Sequence, residues 1–134
     1  MSGQTNLHKV LESLQVSCDD IEYSFSSVKE SPNIFDKNIL GTFREEEGLT
    51  IVAKREYFEK NDIAYEGVYA KLTIEVHTSL ELVGLTAVLA RKLADNGISA
   101  NVVAAYFHDH IFVQYDIHQK AIDAINELKY HIAE

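Results

Sequence analysis

The stretch with the clearest chemical potential is residues 77–86, where an alternating strand pattern passes into a helical one. Thr78 and Glu81 have the spacing of a capping box, in which each side chain bonds the backbone amide of the other residue. A helix N-terminus leaves amide donors free and carries a partial positive charge, which suits a carboxylate. Gly84 permits close approach of a ligand or a neighbouring strand. The alternative is that Thr78 only caps the helix and Gly84 only allows helix–sheet packing.

A second group is His108-Asp109-His110, which offers two imidazoles and a carboxylate. These groups can hold zinc or another divalent ion. Residues two apart share a face in a continuous strand, but a hairpin turn through Asp109 would break that relation. No cysteine is near in sequence, and a third ligand would have to come from elsewhere, for example His77. We therefore favour a polar turn, or a contribution to a ligand pocket or interface, over a metal site.

Catalytic signatures are few. The sequence has no Gly-rich phosphate loop, no Ser nucleophile elbow and no His-Glu-x-x-His motif. Cys18, which precedes the first predicted strand, would need a histidine brought to it in space before it could act as a nucleophile. We therefore expect no catalytic residue, no metal ligand and no cofactor.

The composition is that of a folded protein and excludes several classes of function. Of the 134 residues 46% are hydrophobic and 25% are charged, and the formal net charge is −9. An acidic surface without a cluster of Lys and Arg repels phosphate backbones, so we expect no nucleic-acid partner. No apolar run approaches the roughly 20 residues needed to span a bilayer, and the N-terminus lacks a signal-peptide pattern. With one cysteine and therefore no internal disulfide, the sequence predicts a cytoplasmic protein without a membrane partner.

Periodicity in the first half of the chain predicts short elements. Helical spacing of apolar residues indicates an amphipathic helix over residues 5–14, and alternation indicates a strand over 21–28. The segment 29–38 holds the only proline and is expected to be a loop or a single helical turn. The remaining elements of this half are two hairpin strands, 39–44 and 49–54, and a helix at about 55–61.

The second half has stronger periodicity. Residues 69–77 alternate between apolar and polar types, which predicts a half-buried strand. An apolar stripe predicts a long helix over 79–96, which Asn96-Gly97 ends. The remaining elements are two hairpin strands around His108-Asp109, 98–107 and 110–115, and a last helix opened by a second capping box at 116–119.

Both halves show the order β-α-β-β-α, at 21–62 and again at 69–132. A ferredoxin-like fold needs one more strand, which neither half clearly supplies. An unpaired sheet edge is a liability, so we expect the two halves, or two chains, to complete one another. The prediction is an α+β protein of tandem ferredoxin-like units, with antiparallel sheets covered by helices. We place a degenerate N-terminal half with its leading helix at 1–66 and a C-terminal domain at 67–134.

Five motifs occur in an order that carries a family resemblance. They are Thr42-Phe43-Arg44-Glu45, Glu47-Gly48-Leu49-Thr50, residues 75–86, residues 97–103 and residues 108–113. In this order they resemble a bacterial family of small ACT domain-containing proteins, strongly over about residues 40–115 and weakly over the first 39. The architecture resembles tandem ACT proteins such as the amino-acid-binding regulatory parts of aspartate kinases and the cytosolic arginine sensors of animals. One departure is that the proline which many ACT domains carry just before Gly84 is absent.

The resemblance implies an ACT-type fold and a set of ligand-binding residues. In ACT domains, the loop into the first helix faces a partner sheet edge and usually binds amino acids. The residues of that loop implied as ligand contacts are His77, Thr78, Ser79, Val83, Gly84, Leu85 and Thr86. Others implied at the strand edge, hairpins and interface are Asn101, Val102, Arg44, His108 and His110. Arg44 could clamp a carboxylate or remain a solvated turn residue, and Asn101 could bind or simply be polar on an exposed strand face.

These observations predict a non-catalytic regulatory protein that binds an amino acid or similar metabolite between ACT units, in a homodimer. The alternative is a protein–protein interaction or dimerisation module that uses the same sheet edges without a ligand. The least favoured class is a metal-dependent enzyme that uses His108 and His110.

Overall fold

In the part of the chain that the structure describes, seven segments form the strands of one antiparallel sheet. The computed structural model describes residues 9–76 and 84–131 of the chain. The order across the sheet is β3-β4-β2-β5-β7-β6, and β1 also pairs with β5. The strands are β1 (Gln15–Cys18), β2 (Tyr23–Val28), β3 (Ile39–Glu45), β4 (Gly48–Lys54), β5 (Glu66–Glu75), β6 (Asn101–Ala104) and β7 (Asp109–Gln114).

The helices cover one face of this sheet. Residues 9–12 are helical (α1), and a 3₁₀ turn, Tyr115–Ile117, leads into the last helix. The other helices are α2 (Arg55–Lys60), α3 (Leu85–Asp95) and α4 (His118–His131). No helix in residues 9–76 and 84–131 combines the length and apolarity that crossing a membrane requires.

Strand β5 joins the two halves of the chain. On one side it pairs with β7; on the other, β1 pairs with its C-terminal end and β2 with its N-terminal end. Strand β1 thus takes the place of the final strand in the second ferredoxin-like unit, and β5 does the same for the first. The expectation that the two halves complete one another is confirmed within one chain. The division into domains at residues 66 and 67 stays a prediction.

Two hydrophobic clusters lie under the helices. The larger one combines Leu11 and Leu14, from the first half, with Leu72 of β5, Leu89 of α3 and Ile125 of α4. The smaller one packs Tyr57 and Phe58 of α2, among others, on β4. Each fully buried aliphatic side chain of this kind contributes on the order of 1.5–3 kcal/mol relative to exposure. The described N-terminal residues therefore stabilise the C-terminal unit directly.

The β6–β7 hairpin differs from the predicted one. Asp109 is not a turn residue: it is the first residue of β7 and pairs with Ala104. The loop is 105–108, closed by a hydrogen bond of 3.0 Å from the Ala105 amide to the His108 carbonyl. The predicted strand 98–107 is therefore too long at both ends, because alternation alone did not locate the reversal of the chain.

The helices α3 and α4 begin later than predicted. The predicted start at residue 79 is wrong, because α3 begins at Leu85 and Gly84 occupies its N-cap position with φ 99°. Residues 77–83, including Thr78 and Glu81, lie outside the described residues. Asp116 lies within the 3₁₀ turn rather than at an N-cap, and α4 begins two residues later.

Two further differences concern the first half. Strand β1 was not predicted, because four residues are too few to show a period and only the ladder with β5 defines it. Segment 29–38 holds turns and no helix, so the β-α-β-β-α order of the first half lacks its first helix. Gly48 begins β4, where a Cβ atom would lie 2.8 Å from the Val28 carbonyl oxygen, which explains the glycine at this hairpin.

Candidate functional site

The sheet face that the described helices leave uncovered contains a groove between the two halves. Its cavity volume is about 180 Å³. Strands β3 and β6 stand at opposite ends of the strand order, yet both contribute to the groove, so the sheet must curl to bring them together. The groove is lined by Leu40, Gly41, Val52, Lys71, Val103, Ala105, His110 and Phe112.

The apolar side of the groove rests on a cluster of aromatic rings. Phe112 makes edge contacts with Tyr23 and Phe25, at centroid distances of 6.0 and 5.4 Å. Phe25 in turn contacts Tyr69 at 5.2 Å. Rings in edge-to-face contact fix one another's orientation. Phe112, which is 2% exposed, therefore forms the buried floor of the groove, and the exposed apolar lining comes from Leu40 and Val103.

Lys71 supplies a positive charge beside this surface. Its Nζ lies 3.4 Å from Asp19 Oδ2 and 5.4 Å from the centre of the Tyr23 ring. The Tyr23 hydroxyl donates to the same Asp19 carboxylate. Burial opposes ionisation of Asp19, but hydrogen bonds from Tyr23 and the Ile21 amide, with the Lys71 charge, hold its pKa below the usual value. The Lys71 side chain is thus tethered in one position.

His110 supplies a titratable ring in the same groove. Its Nδ1 atom lies 3.0 Å from Thr73 Oγ1 of the neighbouring strand. Burial first, and then the nearby charges of Lys71 and His108, lower the pKa of His110 below 6.5. His110 is therefore mainly neutral at pH 7. A negatively charged group between Lys71 and His110 would reverse this effect and favour the imidazolium.

The N-terminus of α3, where the predicted ligand-binding loop ends, lies on the other face of the sheet. Thr86 Oγ1 donates to Asp109 Oδ2 at 3.3 Å, and the Leu85 side chain is buried in the larger core cluster. A Cβ atom on Gly84 would meet no described atom within 4 Å, so positive φ, not tight packing, explains this glycine. His77, Thr78, Ser79 and Val83 lie outside the described residues.

The other predicted residues are dispersed. Asn101 donates from its side-chain amide to the Phe112 carbonyl at 3.3 Å, and Val102 packs against the core. Arg44 lies near the tip of the β3–β4 hairpin, opposite Leu49, and is exposed. It does not line the groove. Among the predicted residues that the structure describes, only His110 lines the groove.

The His108-Asp109-His110 motif does not converge on one point. Asp109 contacts α3 through Thr86, whereas His110 bonds Thr73 on the opposite face. The two imidazole centroids are 6.4 Å apart and the rings are nearly perpendicular. In the described ranges, the only three metal-ligating groups that meet are Cys18, Asp20 and His118. Among the described residues, no third ligand joins His108 and His110, and His77 lies outside them.

Sequence reasoning missed Lys71, Val52 and Phe112 as groove residues. The sequence did contain a signal for Lys71, because this residue lies with Tyr69 and Thr73 on the polar face of the β5 alternation. The meeting of Val52 with Phe112 depends on the curl of the whole sheet, which local patterns do not carry.

Comparison with known proteins agrees with this architecture. Two family models described as ACT domain match residues 2–70 and 65–127. A Vibrio cholerae protein of unknown function, described as a possible transport protein, is 40% identical, with a TM-score of 0.86 over 96% of this chain and 99% of that chain. An Agrobacterium tumefaciens protein is 17% identical, with a TM-score of 0.73 over 87% of this chain and 89% of that one.

More distant structures share the fold. The ligand-free regulatory subunit of aspartate kinase from Thermus thermophilus is 10% identical, with a TM-score of 0.59 over 87% of this chain and 98% of that chain. No curated protein matches the sequence. The two family matches together extend from residue 2 to residue 127, and the fold consists of tandem ferredoxin-like units. The chain therefore belongs to the ACT domain family.

Proposed function

We propose that this chain is a non-catalytic regulatory protein of the cytoplasm that binds an amino acid or a similar small carboxylate. The observation that carries the proposal is the groove between the two halves, which Lys71 and His110 line together with the exposed apolar side chains of Leu40 and Val103. An apolar surface beside two nitrogen groups suits a ligand with an apolar side chain and a carboxylate. The likeness to a regulatory subunit of aspartate kinase supports a regulatory role.

The size of the groove supports a small ligand. Its cavity volume is about 180 Å³. Sites for drug-sized ligands are larger, at about 300–1,000 Å³. The small volume therefore favours a ligand of amino-acid size over a larger one. The N-terminus of α3, at Gly84 and Thr86, is a second proposed contact region on the opposite face of the sheet.

Ligand binding would act by holding the two halves together. Val52 comes from the first half, and His110 and Phe112 come from the second. A ligand that contacts both sides stabilises the closed arrangement over any arrangement in which they separate. The shift equals the difference in affinity between the two states, so a ligand with equal affinity for both would regulate nothing.

An interaction module is the second candidate function, and exposed aromatic residues favour it. Phe35, Tyr106 and Phe107 are 90%, 93% and 82% exposed. Tyr106 and Phe107 lie in the loop beside edge strand β6, where an unpaired edge can also bind another strand. We propose that these surfaces form a homodimer, whether or not a ligand is bound.

A thermal-shift panel of the twenty amino acids tests the ligand proposal. At a hundredfold excess over its dissociation constant, a ligand should stabilise the native protein by about 2.7 kcal/mol. The matched variant is Gly41→Leu, because a Cβ there meets nothing within 4 Å and the longer side chain would occupy the groove. We expect a response from the natural chain and none from the variant. A flat response of the natural chain across the panel would leave only the interaction module, which sedimentation analysis would then examine.

A further inference from the structure

Three metal-ligating side chains from both halves of the chain meet at one corner of the sheet. Cys18 ends β1, Asp20 follows it, and His118 begins α4. One ligand atom from each of the three lies within 4.8 Å of the other two. His118 Nε2 is 3.4 Å from Asp20 Oδ1. None of the three lines the groove, so this cluster is separate from the proposed ligand site.

A hydrogen bond to the backbone fixes the orientation and the tautomer of the His118 ring. Its Nδ1 lies 2.5 Å from the Tyr115 carbonyl oxygen. A carbonyl only accepts hydrogen bonds, so Nδ1 must carry the proton and donate it. The lone pair of the neutral ring is then on Nε2, which faces Asp20. Histidine ligands in metal sites are oriented by the same kind of bond from the other ring nitrogen.

Tyr115 fixes both sides of the cluster. Its ring lies 4.8 Å from the His118 ring, and its hydroxyl donates to the Asp20 carbonyl at 3.1 Å. The Asp20 backbone has φ 61°, a left-handed conformation that is uncommon for residues other than glycine. Asp20 is thus held in an unusual conformation whose side chain approaches His118.

His118 Nε2 and the Asp20 carboxylate need a proton or a metal ion between them. In the neutral tautomer set by Tyr115, His118 Nε2 is an acceptor, and the Asp20 carboxylate 3.4 Å away is also an acceptor. Either a proton on Nε2 or a metal ion relieves this repulsion. A proton satisfies His118 and Asp20, whereas a metal ion would also take the Cys18 sulfur as its third ligand and displace the thiol proton. Burial, together with the neighbouring Asp20, raises the pKa of the Cys18 thiol in the metal-free protein.

We propose that Cys18, Asp20 and His118 bind a divalent transition-metal ion of the Zn²⁺ class. A sulfur, an imidazole nitrogen and a carboxylate oxygen favour such an ion over Mg²⁺ or Ca²⁺. Around a tetrahedral zinc these atoms are about 3.5 Å apart, so small side-chain rotations suffice. The fourth position is open to water. The ion joins β1 to α4 and thereby ties the first half to the second.

Cobalt titration of tag-free, chelator-treated protein tests the donor set. Co²⁺ should give a thiolate-to-cobalt charge-transfer band at one equivalent, and Cys18→Ser should abolish it. Asp20→Asn, which tolerates the left-handed backbone, should weaken cobalt binding at least tenfold. The matched control is Asp123→Asn, further along α4, where the carboxylate accepts a hydrogen bond from Gln119. This control should leave the spectrum unchanged.

The natural chain provides an independent readout, because Cys18 is its only cysteine. Saturating Zn²⁺, but not Mg²⁺, should slow alkylation of the thiol at least tenfold. The melting temperature should rise by about 10 °C at a hundredfold excess of Zn²⁺ over its dissociation constant. If millimolar Co²⁺ gives no band and millimolar Zn²⁺ leaves alkylation unchanged, the cluster is an ion pair beside a thiol and the proposal is wrong. A band that persists in Cys18→Ser would also overturn it.

Discussion

The Nδ1 atom of His110 lies 3.0 Å from the Oγ1 atom of Thr73, and the two residues are partners in the β5–β7 ladder. The bond fixes the imidazole at the edge of the groove. When the Thr73 hydroxyl donates to Nδ1, the remaining ring proton lies on Nε2. The groove then presents a neutral donor at pH 7 and a cationic one in acid.

We predict that His110 makes the folded protein less stable in acid. Its pKa is lowered in the folded state, so the unfolded chain binds more protons between the folded pKa and about 6.5. This contribution is fully present above pH 6.5 and is lost as the pH falls through the folded pKa. Urea unfolding at pH 7.5 and 5.5 should show a smaller loss for His110→Gln than for the natural chain. An equal loss in both would contradict the assignment.

A second prediction concerns the coupling of Lys71 to His110. The Lys71 charge is one of the causes that lower the pKa of His110, after burial. Lys71→Met should therefore raise the pKa of His110 toward 6.5, as followed by NMR titration of the ring protons. A carboxylate ligand in the groove should move the same pKa upward in the natural chain.

The matched control for this coupling is Lys92→Met. Lys92 lies on α3, where it pairs with Glu127 at 2.7 Å on the helical side of the sheet. Its removal should leave the His110 titration unchanged. A shift of equal size in both variants would indicate an effect of total charge and would contradict a direct coupling to Lys71.

Much of the second unit could be predicted from sequence, because its periodicities were long. The alternation over 69–77 located β5, and Asn96-Gly97 marked the end of α3 to within a residue. Strand β1 escaped detection because its pattern spans four residues and only pairing with β5 reveals it. The family resemblance correctly indicated ACT domains, as the two family matches confirm.

The groove could not be predicted, because its parts are distant in sequence and adjacent only through the curl of the sheet. The sequence pattern predicts only that Val52 and Phe112 are strand residues. The Cys18–His118 approach has the same origin, since β1 and α4 lie near opposite ends of the chain. The spacing of residues in the sequence identifies a site when all its residues lie in one loop. Here the residues come from several strands.

A third prediction concerns Ser24, the one fully buried polar residue in the described chain. Its Oγ lies 2.9 Å from the Glu66 carbonyl and 2.6 Å from the Gly67 carbonyl, where the β2–β5 ladder is irregular. The hydroxyl thus replaces a ladder bond that the bulge removes. Ser24→Ala should lower the free energy of unfolding by about 1–3 kcal/mol.

Urea denaturation measures this loss, and Ser26→Ala is its control. The Ser26 hydroxyl also donates to a carbonyl, that of Ala64, but its environment is exposed. Water can replace that bond, so Ser26→Ala should cost less than about 0.5 kcal/mol. Equal losses of unfolding free energy in the two variants would contradict the prediction that Ser24 stabilises the fold by satisfying the buried Glu66 and Gly67 carbonyls.

The last prediction concerns the dependence of the second unit on the first. Leu14 precedes β1, yet its side chain is completely buried in the core of the C-terminal unit. Leu14→Ala should therefore destabilise that unit by about 2–5 kcal/mol, through lost burial and the cavity left behind. Leu40→Ala serves as the exposed control, since Leu40 is 42% exposed on edge strand β3.

A fragment of residues 67–134 tests the same dependence. It lacks β1, whose ladder covers residues 72–75 of β5, and it lacks Leu11 and Leu14 of the shared core. Without these the fragment has an unpaired strand edge and exposed apolar surface, so circular dichroism should show it unfolded. Addition of a separate peptide of residues 9–22 should restore strand structure in proportion to its concentration. A fragment that folds cooperatively alone would mean that the C-terminal unit supplies its own stability and that β1 is only an accessory strand.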